Sequence, residues 1–178
     1  MESIIEFSHN VLIRNLPKDS IILDMTVGNG KDTLFLVNNF KYVYGFDIQE
    51  IAINKAKELL KDYNNYTLIC DSHLNFDKYV LSEFSGAIFN LGYLPGGNKE
   101  IHTEAEIVLE TLKKIFNKIS KGGIVVIVFY PGFASGKRES EIVYEFLKNL
   151  DQKEFAVVKY EFVNQINNPP WVVAVKVI

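Results

Sequence analysis

The densest chemistry in this sequence sits in short polar clusters that directly follow apolar runs. Asn90-Leu91-Gly92-Tyr93 closes one such run. An asparagine carbonyl oxygen and the next backbone carbonyl, at Leu91, can both accept from one amine nitrogen. The nitrogen lone pair then points away from them, toward an electrophile, while an aromatic ring at 93 stacks on the group that carries the amine. Such a displacement asks little of a protein beyond holding the reacting atoms ~3–3.5 Å apart and in line. The amine must arrive neutral, because an alkylammonium with a pKa of ~10.4, as in lysine, has no lone pair. Asn90 and Tyr93 are therefore the catalytic candidates, with Gly92 giving the turn between them. No residue stands out as a general base.

A second constellation is Asp24-Met25-Thr26-Val27-Gly28-Asn29-Gly30-Lys31-Asp32-Thr33. Glycines at 28 and 30 allow positive φ and close approach of backbone to a ligand. Asp24 can accept from an ammonium group, directly or through water. Thr26, Asn29, Asp32 and Thr33 offer further polar contacts on the same loop. Asp47, with Ile48 and Gln49, follows the next apolar run. A carboxylate there can accept both hydroxyls of a ribose. Asp71-Ser72-His73 follows the third run. Asp71 can accept from an exocyclic amine of adenine, with Ser72 and His73 beside it. Together these clusters describe a pocket for an adenosine that carries a charged tail. A dinucleotide is disfavoured. Its Gly-x-Gly-x-x-Gly fingerprint needs glycine where Thr33 stands, and Asp32 would place a carboxylate where pyrophosphate meets a helix N-terminus.

Further candidates follow the later runs. Pro95, Gly96, Gly97 and Lys99 read as a lid. Thr103 and Glu106 have the spacing of a capping box. Tyr130, Lys137 and Arg138 follow the fifth run. Lys99, Lys137 and Arg138 are suited to phosphates. Asn164 and Asn167 lie in a turn fixed by Pro169 and Pro170, where their amides can read a base edge. No histidine–cysteine spacing suggests a metal. Cys70 ends an apolar run and is expected to be a buried small hydrophobe.

The elements that must position these clusters alternate. Strands are expected at Ser20–Met25, Tyr42–Phe46, Tyr66–Cys70, Gly86–Asn90 and Gly123–Tyr130. Their continuous apolarity suits strands covered on both faces. Helices are expected near Phe7–Leu16, and at Lys31–Asn39, Gln49–Tyr63, Phe76–Ser82, Glu104–Ile119 and Lys137–Leu150. Alternation implies right-handed crossovers and a parallel sheet with helices on both faces. Lys153–Val163 and Trp171–Ile178 are then two strands with no helix between them, so the last must be antiparallel. A seven-stranded, mostly parallel sheet with an antiparallel last strand is the Rossmann-like class I methyltransferase architecture, an α/β fold. Ligands of open α/β sheets bind beyond the carboxyl ends of the strands, where every cluster above falls.

The 178 residues suit one domain over 1–178. A net charge of -3 argues against non-specific coating of nucleic acid. No apolar run approaches the ~18 residues of a membrane span. The first residues lack a signal-peptide pattern, and a single cysteine leaves no internal disulfide. A reducing cytoplasm is expected. Nothing marks an oligomer interface, which leaves a homodimer open.

Several segments together resemble a small bacterial group described as rRNA methylases, a family of class I methyltransferases. They are Asp24-x-Thr26-x-Gly28-Asn29-Gly30-x-Asp32-Thr33, Phe46-Asp47-Ile48-Gln49, Asn90-Leu91-Gly92-Tyr93-Leu94-Pro95-Gly96-Gly97, Tyr130-Pro131-Gly132 with Gly136-Lys137, and Asn164-Gln165-x-Asn167-x-Pro169-Pro170. The likeness covers nearly the whole chain. Characterised members of the group are tRNA 5-(aminomethyl)-2-thiouridine methyltransferases. The resemblance implies S-adenosylmethionine as cofactor, held by Asp24, Gly28, Asn29 and Asp47. It implies the wobble uridine of a tRNA anticodon loop as substrate, faced by Asn90, Tyr93 and the lid. One departure is Phe133, where the family usually has histidine. The residues alone also fit a methyltransferase of another RNA or of a small-molecule amine.

Overall fold

The computed structural model describes residues 1–92, 104–132 and 134–178. Helix α1 spans Ile4–Asn15 and is followed by strand β1 at Ile21–Asp24, helix α2 at Lys31–Asn39 and strand β2 at Tyr42–Asp47. Helix α3 (Glu50–Leu59), strand β3 (Tyr66–Cys70), a 3-10 helix (His73–Lys78) and strand β4 (Gly86–Leu91) come next. Helix α4 (Ala105–Phe116), strand β5 (Ile124–Phe129), helix α5 (Ala134–Lys148) and strands β6 (Phe155–Tyr160) and β7 (Trp171–Val177) complete the chain.

The strands form one seven-stranded sheet in the order β3-β2-β1-β4-β5-β7-β6. Strands β1 to β5 pair in parallel, and β7 is antiparallel to both β5 and β6. The reversed strand expected from the sequence is therefore present. It lies between β5 and β6, not at the sheet edge, because the β6–β7 hairpin folds back against β5.

Consecutive residues of the central strands enter opposite layers. Leu23, Phe89, Val125 and Ile127 pack with Phe76, Val108, Leu112 and Val143 on one face. Ile22, Ile88, Val126 and Val128 pack with Leu12, Leu36 and Leu60 on the other. Side chains alternate with a period of two, so only a strand covered on both faces is apolar throughout. The edge strands break that rule. Strand β6 has only half-buried and exposed positions, and β3 buries only Ile69. Cys70, expected to be buried, is exposed for the same reason, at the end of an edge strand.

Local chemistry explains the other shifted boundaries. Helix α1 starts before Phe7 because Ser3 and Glu6 form a capping box there. Ser72 accepts from the Leu74 amide and starts a 3-10 helix earlier than the α-helix expected from Phe76. Helix α5 starts at Ala134, ahead of the expected Lys137. The expected N-cap at Thr103 lies outside the described residues.

The loop after β1 is held from beneath. Gly28 and Gly30 have φ of 52° and 80°. A Cβ at Gly30 would lie 2.9 Å from the Ala56 Cβ and 3.0 Å from its Cα, so α2 begins where it touches α3. One at Gly45 would meet Val27 at 2.6 Å and Leu68 at 2.7 Å, which seats the same loop on β2.

On the opposite side, α5 turns Glu139, Val143 and Leu147 inward. Burial pushes the Glu139 carboxyl up to about 8 from 4.5, and its Oε1 has no partner among the described residues.

Two outcomes follow from these contacts. Gly30→Ala combines a left-handed backbone with contact to helix backbone, and should cost about 1–3 kcal/mol of stability in denaturant titration. Glu139 ionises near 4.5 unfolded but near 8 folded, so folding takes up a proton between those values and stability falls as pH rises through them. Glu139→Gln removes that slope. Relative to wild type, the variant should gain roughly 1–3 kcal/mol between pH 5 and pH 8, read as a rising difference in melting temperature.

Candidate active site

Three loop clusters leave the sheet side by side because β1 lies between β2 and β4. Hydrogen bonds then lace them together. The Gly28 amide donates to Asp47 Oδ2 at 2.8 Å, and the Gln49 amide donates to Asp47 Oδ1 at 2.9 Å. The Asn90 amide donates to Thr26 Oγ1 at 2.7 Å. Gly28, Asp47 and Asn90, the anchors of the sequence argument, thus belong to one connected edge.

Each Asp47 oxygen accepts one backbone amide and keeps a free lone pair, as a ribose-binding carboxylate requires. Burial holds this carboxyl above its ordinary range. Asp24 is fully buried. Its Oδ2 accepts from the Thr33 hydroxyl at 2.6 Å and its Oδ1 from the Thr26 amide at 3.2 Å. Burial, with the Asp32 charge adding to it, pushes Asp24 up to about 7. The burial corrects the expectation of direct ligand contact: Asp24 and Thr33 brace the loop from below. Ile48 is exposed beside Asp47, and Asn29 is half-buried on the glycine turn.

Asp32 opens helix α2, but its carboxylate reaches sideways. One oxygen pairs with His9 Nε2 at 2.7 Å; the other accepts from the Asn90 side-chain Nδ2. Asn90 Oδ1 accepts in turn from the Tyr130 hydroxyl at 3.2 Å. Burial, then the Asp32 charge, pushes the Tyr130 phenol up to about 12, so it remains a donor. The carboxylate of Asp32 can only accept, which fixes which way the Asn90 amide faces. A flipped amide would set carbonyl against carboxylate and lose a charge-assisted hydrogen bond of about 1.5–3 kcal/mol. Asn90 Oδ1 retains one lone pair for an incoming N–H. Tyr130 also covers Gly92, where an added Cβ would lie 3.6 Å from its ring.

The cluster after β3 departs from expectation. Asp71 does sit at the edge, with Oδ1 accepting from the Ser72 amide and Asn75, and Oδ2 from the Tyr79 hydroxyl. Those bonds, from Asn75 first, lower its pKa. Ser72 caps the 3-10 helix. His73 turns into the core. Its Nδ1 pairs with the Thr111 hydroxyl at 2.8 Å, its ring meets Phe89 edge-on, and burial lowers its pKa to about 4. It is a packed neutral histidine, not an adenine contact.

The outer residues are exposed. Lys137 and Arg138 lie near the start of α5, which has no acid in its first turn. Cations there oppose the helix dipole, so helix stability does not explain them. Asn164 and Asn167 are exposed in the β6–β7 link, with Asn167 at φ 66°. That link passes the loop after β5: a Cβ at Gly132 would be 4.0 Å from the Asn168 carbonyl. Tyr93, Pro95, Gly96, Gly97, Lys99 and Phe133 lie outside the described residues. Among the described residues no group of acids, histidines and cysteines could hold a metal, and no helix is long and apolar enough to cross a membrane.

Sequence reasoning missed His9. It stands on an amphipathic helix with no motif around it, and its partner Asp32 lies 23 positions away. No local pattern reports such a contact.

Comparison with known proteins fits this geometry. A family model described as "Putative rRNA methylase" matches residues 43–176. A tRNA (mnm(5)s(2)U34)-methyltransferase of Arabidopsis thaliana chloroplasts is 31% identical over 180 residues, covering 90% of this chain and 64% of that protein. The ribosomal RNA small subunit methyltransferase H 1 of Acholeplasma laidlawii is 35% identical over 85 residues, or 44% of this chain and 28% of its own. The chain thus spans less than two thirds of the length of these curated relatives. Among solved structures, one from Clostridium thermocellum described as an rRNA-methylase superposes with a TM-score of 0.96 at 38% identity, covering 100% of this chain and 99% of that one. A Streptococcus mutans protein described as a methyltransferase, solved with SAH, gives 0.94 at 41% identity over the same shares. Sheet order, loop chemistry and these matches agree that the chain belongs to the rRNA methylase family of class I methyltransferases.

Proposed function

We propose that the chain transfers a methyl group from S-adenosylmethionine to the aminomethyl nitrogen of wobble 5-aminomethyl-2-thiouridine in tRNA, giving 5-methylaminomethyl-2-thiouridine. The observation that carries this reading is the Asn90 amide, fixed by Asp32 with one lone pair of its carbonyl oxygen left to accept. An acceptor held in that sense suits an amine nucleophile. The Arabidopsis relative, whose name specifies this nucleoside, supports the substrate.

The residues fit the cofactor. Asp47 keeps lone pairs for two ribose hydroxyls, and Gly28 offers an approachable backbone. Asp32 and Asp47 bring carboxyl groups to this edge, which suits a ligand bearing a sulfonium and an ammonium. When bound, S-adenosylmethionine supplies an electrophilic methyl on sulfur. The chain's own part is positional. Asn90 Oδ1 accepts an N–H of the neutral amine and so turns its lone pair away from the asparagine. Tyr130 holds the same oxygen from the other side. The single-stranded anticodon loop can splay its base into such a cleft, and the exposed Lys137, Arg138, Asn164 and Asn167 would then meet flanking phosphate or base edges.

A second reading, methylation of another RNA, is favoured by the matches to ribosomal RNA methyltransferases over about half of the chain. Labelled cofactor separates the two. Incubated with bulk tRNA and with ribosomal RNA from cells lacking the gene, the protein should label the tRNA fraction. Nucleoside mass spectrometry of that tRNA should show 5-aminomethyl-2-thiouridine consumed. Label in ribosomal RNA alone selects the second reading.

At the site, Asp47→Ala should weaken cofactor binding by about tenfold or more in calorimetry, as expected for a lost charge-assisted contact. Asn90→Ala should lower kcat by about 10²–10³-fold with little change in cofactor affinity. Full activity in Asn90→Ala would remove the amine-acceptor role.

A further inference from the structure

We infer that His9, on the first helix, is a positioning residue for methyl transfer: through Asp32 it sets which face of the Asn90 amide meets the substrate amine. The inference rests on the reading of Asn90 as the amine acceptor and adds a residue from outside the matched family region, 43–176.

The geometry is a relay of hydrogen bonds across three elements. His9 Nε2 lies 2.7 Å from Asp32 Oδ1. Asp32 Oδ2 accepts from Asn90 Nδ2, and Asn90 Oδ1 accepts from Tyr130. The imidazole is itself held. It stacks on Phe35, with ring centroids 3.8 Å apart and planes within 7°. Only 16% of each side chain, His9 and Asp32, reaches solvent, so water screens the pair weakly. Nε2 donates to the carboxylate in the charged ring and in the neutral Nε2–H tautomer, the one an acceptor-only partner selects.

The need for His9 follows from Asp32. An aspartate carboxylate turns about χ2 in a broad well. Bonded only to Asn90, it could swing away from the amide nitrogen and leave that amide free to turn over. Bonded also to a stacked imidazole from α1, it has one orientation. Asn90 then has one orientation too, with nitrogen inward and oxygen toward the substrate. His9 would touch neither the amine nor the methyl donor.

The test compares His9→Ala with His9→Gln, since a glutamine amide nitrogen can take the place of Nε2 as donor. Each is assayed with tRNA carrying 5-aminomethyl-2-thiouridine, with thermal melting as a folding control. His9→Ala should lower kcat by about tenfold, with KM for tRNA and for S-adenosylmethionine within about twofold of wild type. His9→Gln should recover at least about half of the lost rate. An unchanged kcat in His9→Ala, a loss confined to KM, or a His9→Gln as slow as His9→Ala would overturn the inference. A second readout needs no substrate. Hydrogen exchange at the Asn90 side-chain amide, followed by NMR, should be about tenfold faster in His9→Ala than in wild type. Equal exchange rates would overturn the lock itself. If wild type fails to methylate that tRNA, the proposed function falls, while the exchange measurement still decides the part played by His9.

Discussion

The pairing of β1 with β2 on one side and β4 on the other governs everything at the site. Parallel neighbours end together, so their following loops emerge at one height and within hydrogen-bonding reach. That is why a threonine two residues past β1 can accept the amide of Asn90 at the end of β4, and why a glycine of the same loop can donate to the acid ending β2. In an antiparallel arrangement, neighbouring ends would point to opposite edges and these contacts would vanish. The hydrophobic layers on the two faces serve this registry. They hold the strands in the one alignment that brings the polar ends together.

Charge is the second constraint. Asp24, Asp32 and Asp47 converge on one loop cluster, and each is managed differently. Asp24 is buried beneath the turn and satisfied by a hydroxyl and an amide, with its ionisation suppressed toward neutrality. Asp47 receives two backbone amides. Asp32 is the one that meets a potential cation, the imidazole of His9. The division of labour is physical: one acid supports the loop, one joins two loops through backbone amides, and one orients a neighbouring amide.

Much of this was legible in the sequence because it is local or periodic. Strands covered on both faces announce themselves as unbroken apolar runs, and the missing helix before Trp171 marks the reversed strand. Gly28, Gly30 and Asp47 could be read because strand ends and glycine turns have short-range signatures. What stayed hidden depends on distant partners. The fate of His73 was set by Thr111 and Phe89, which meet it only after α4 and β4 are packed. Cys70 is exposed because its strand lies at the sheet edge, a property of strand order and not of the run itself. His9 gained its partner through the packing of α1 beside α2. Asp24 and Thr33 were placed on the correct loop, but burial depth is invisible to a motif.

The seat of α1 has a temporal meaning. Leu12 packs in the layer shared by Val126, Val128 and Val172, Phe7 stacks on Tyr160, and the Tyr160 hydroxyl donates to the Glu2 carbonyl. Helix α1 therefore docks against strands that follow it by more than a hundred residues. Until those strands are made, the imidazole it carries has no fixed place beside Asp32. Contacts so far apart in sequence form late and slowly. A growing chain would thus carry Gly28 and Asp47 early, yet order the Asn90 side chain only once β6 and β7 have been made.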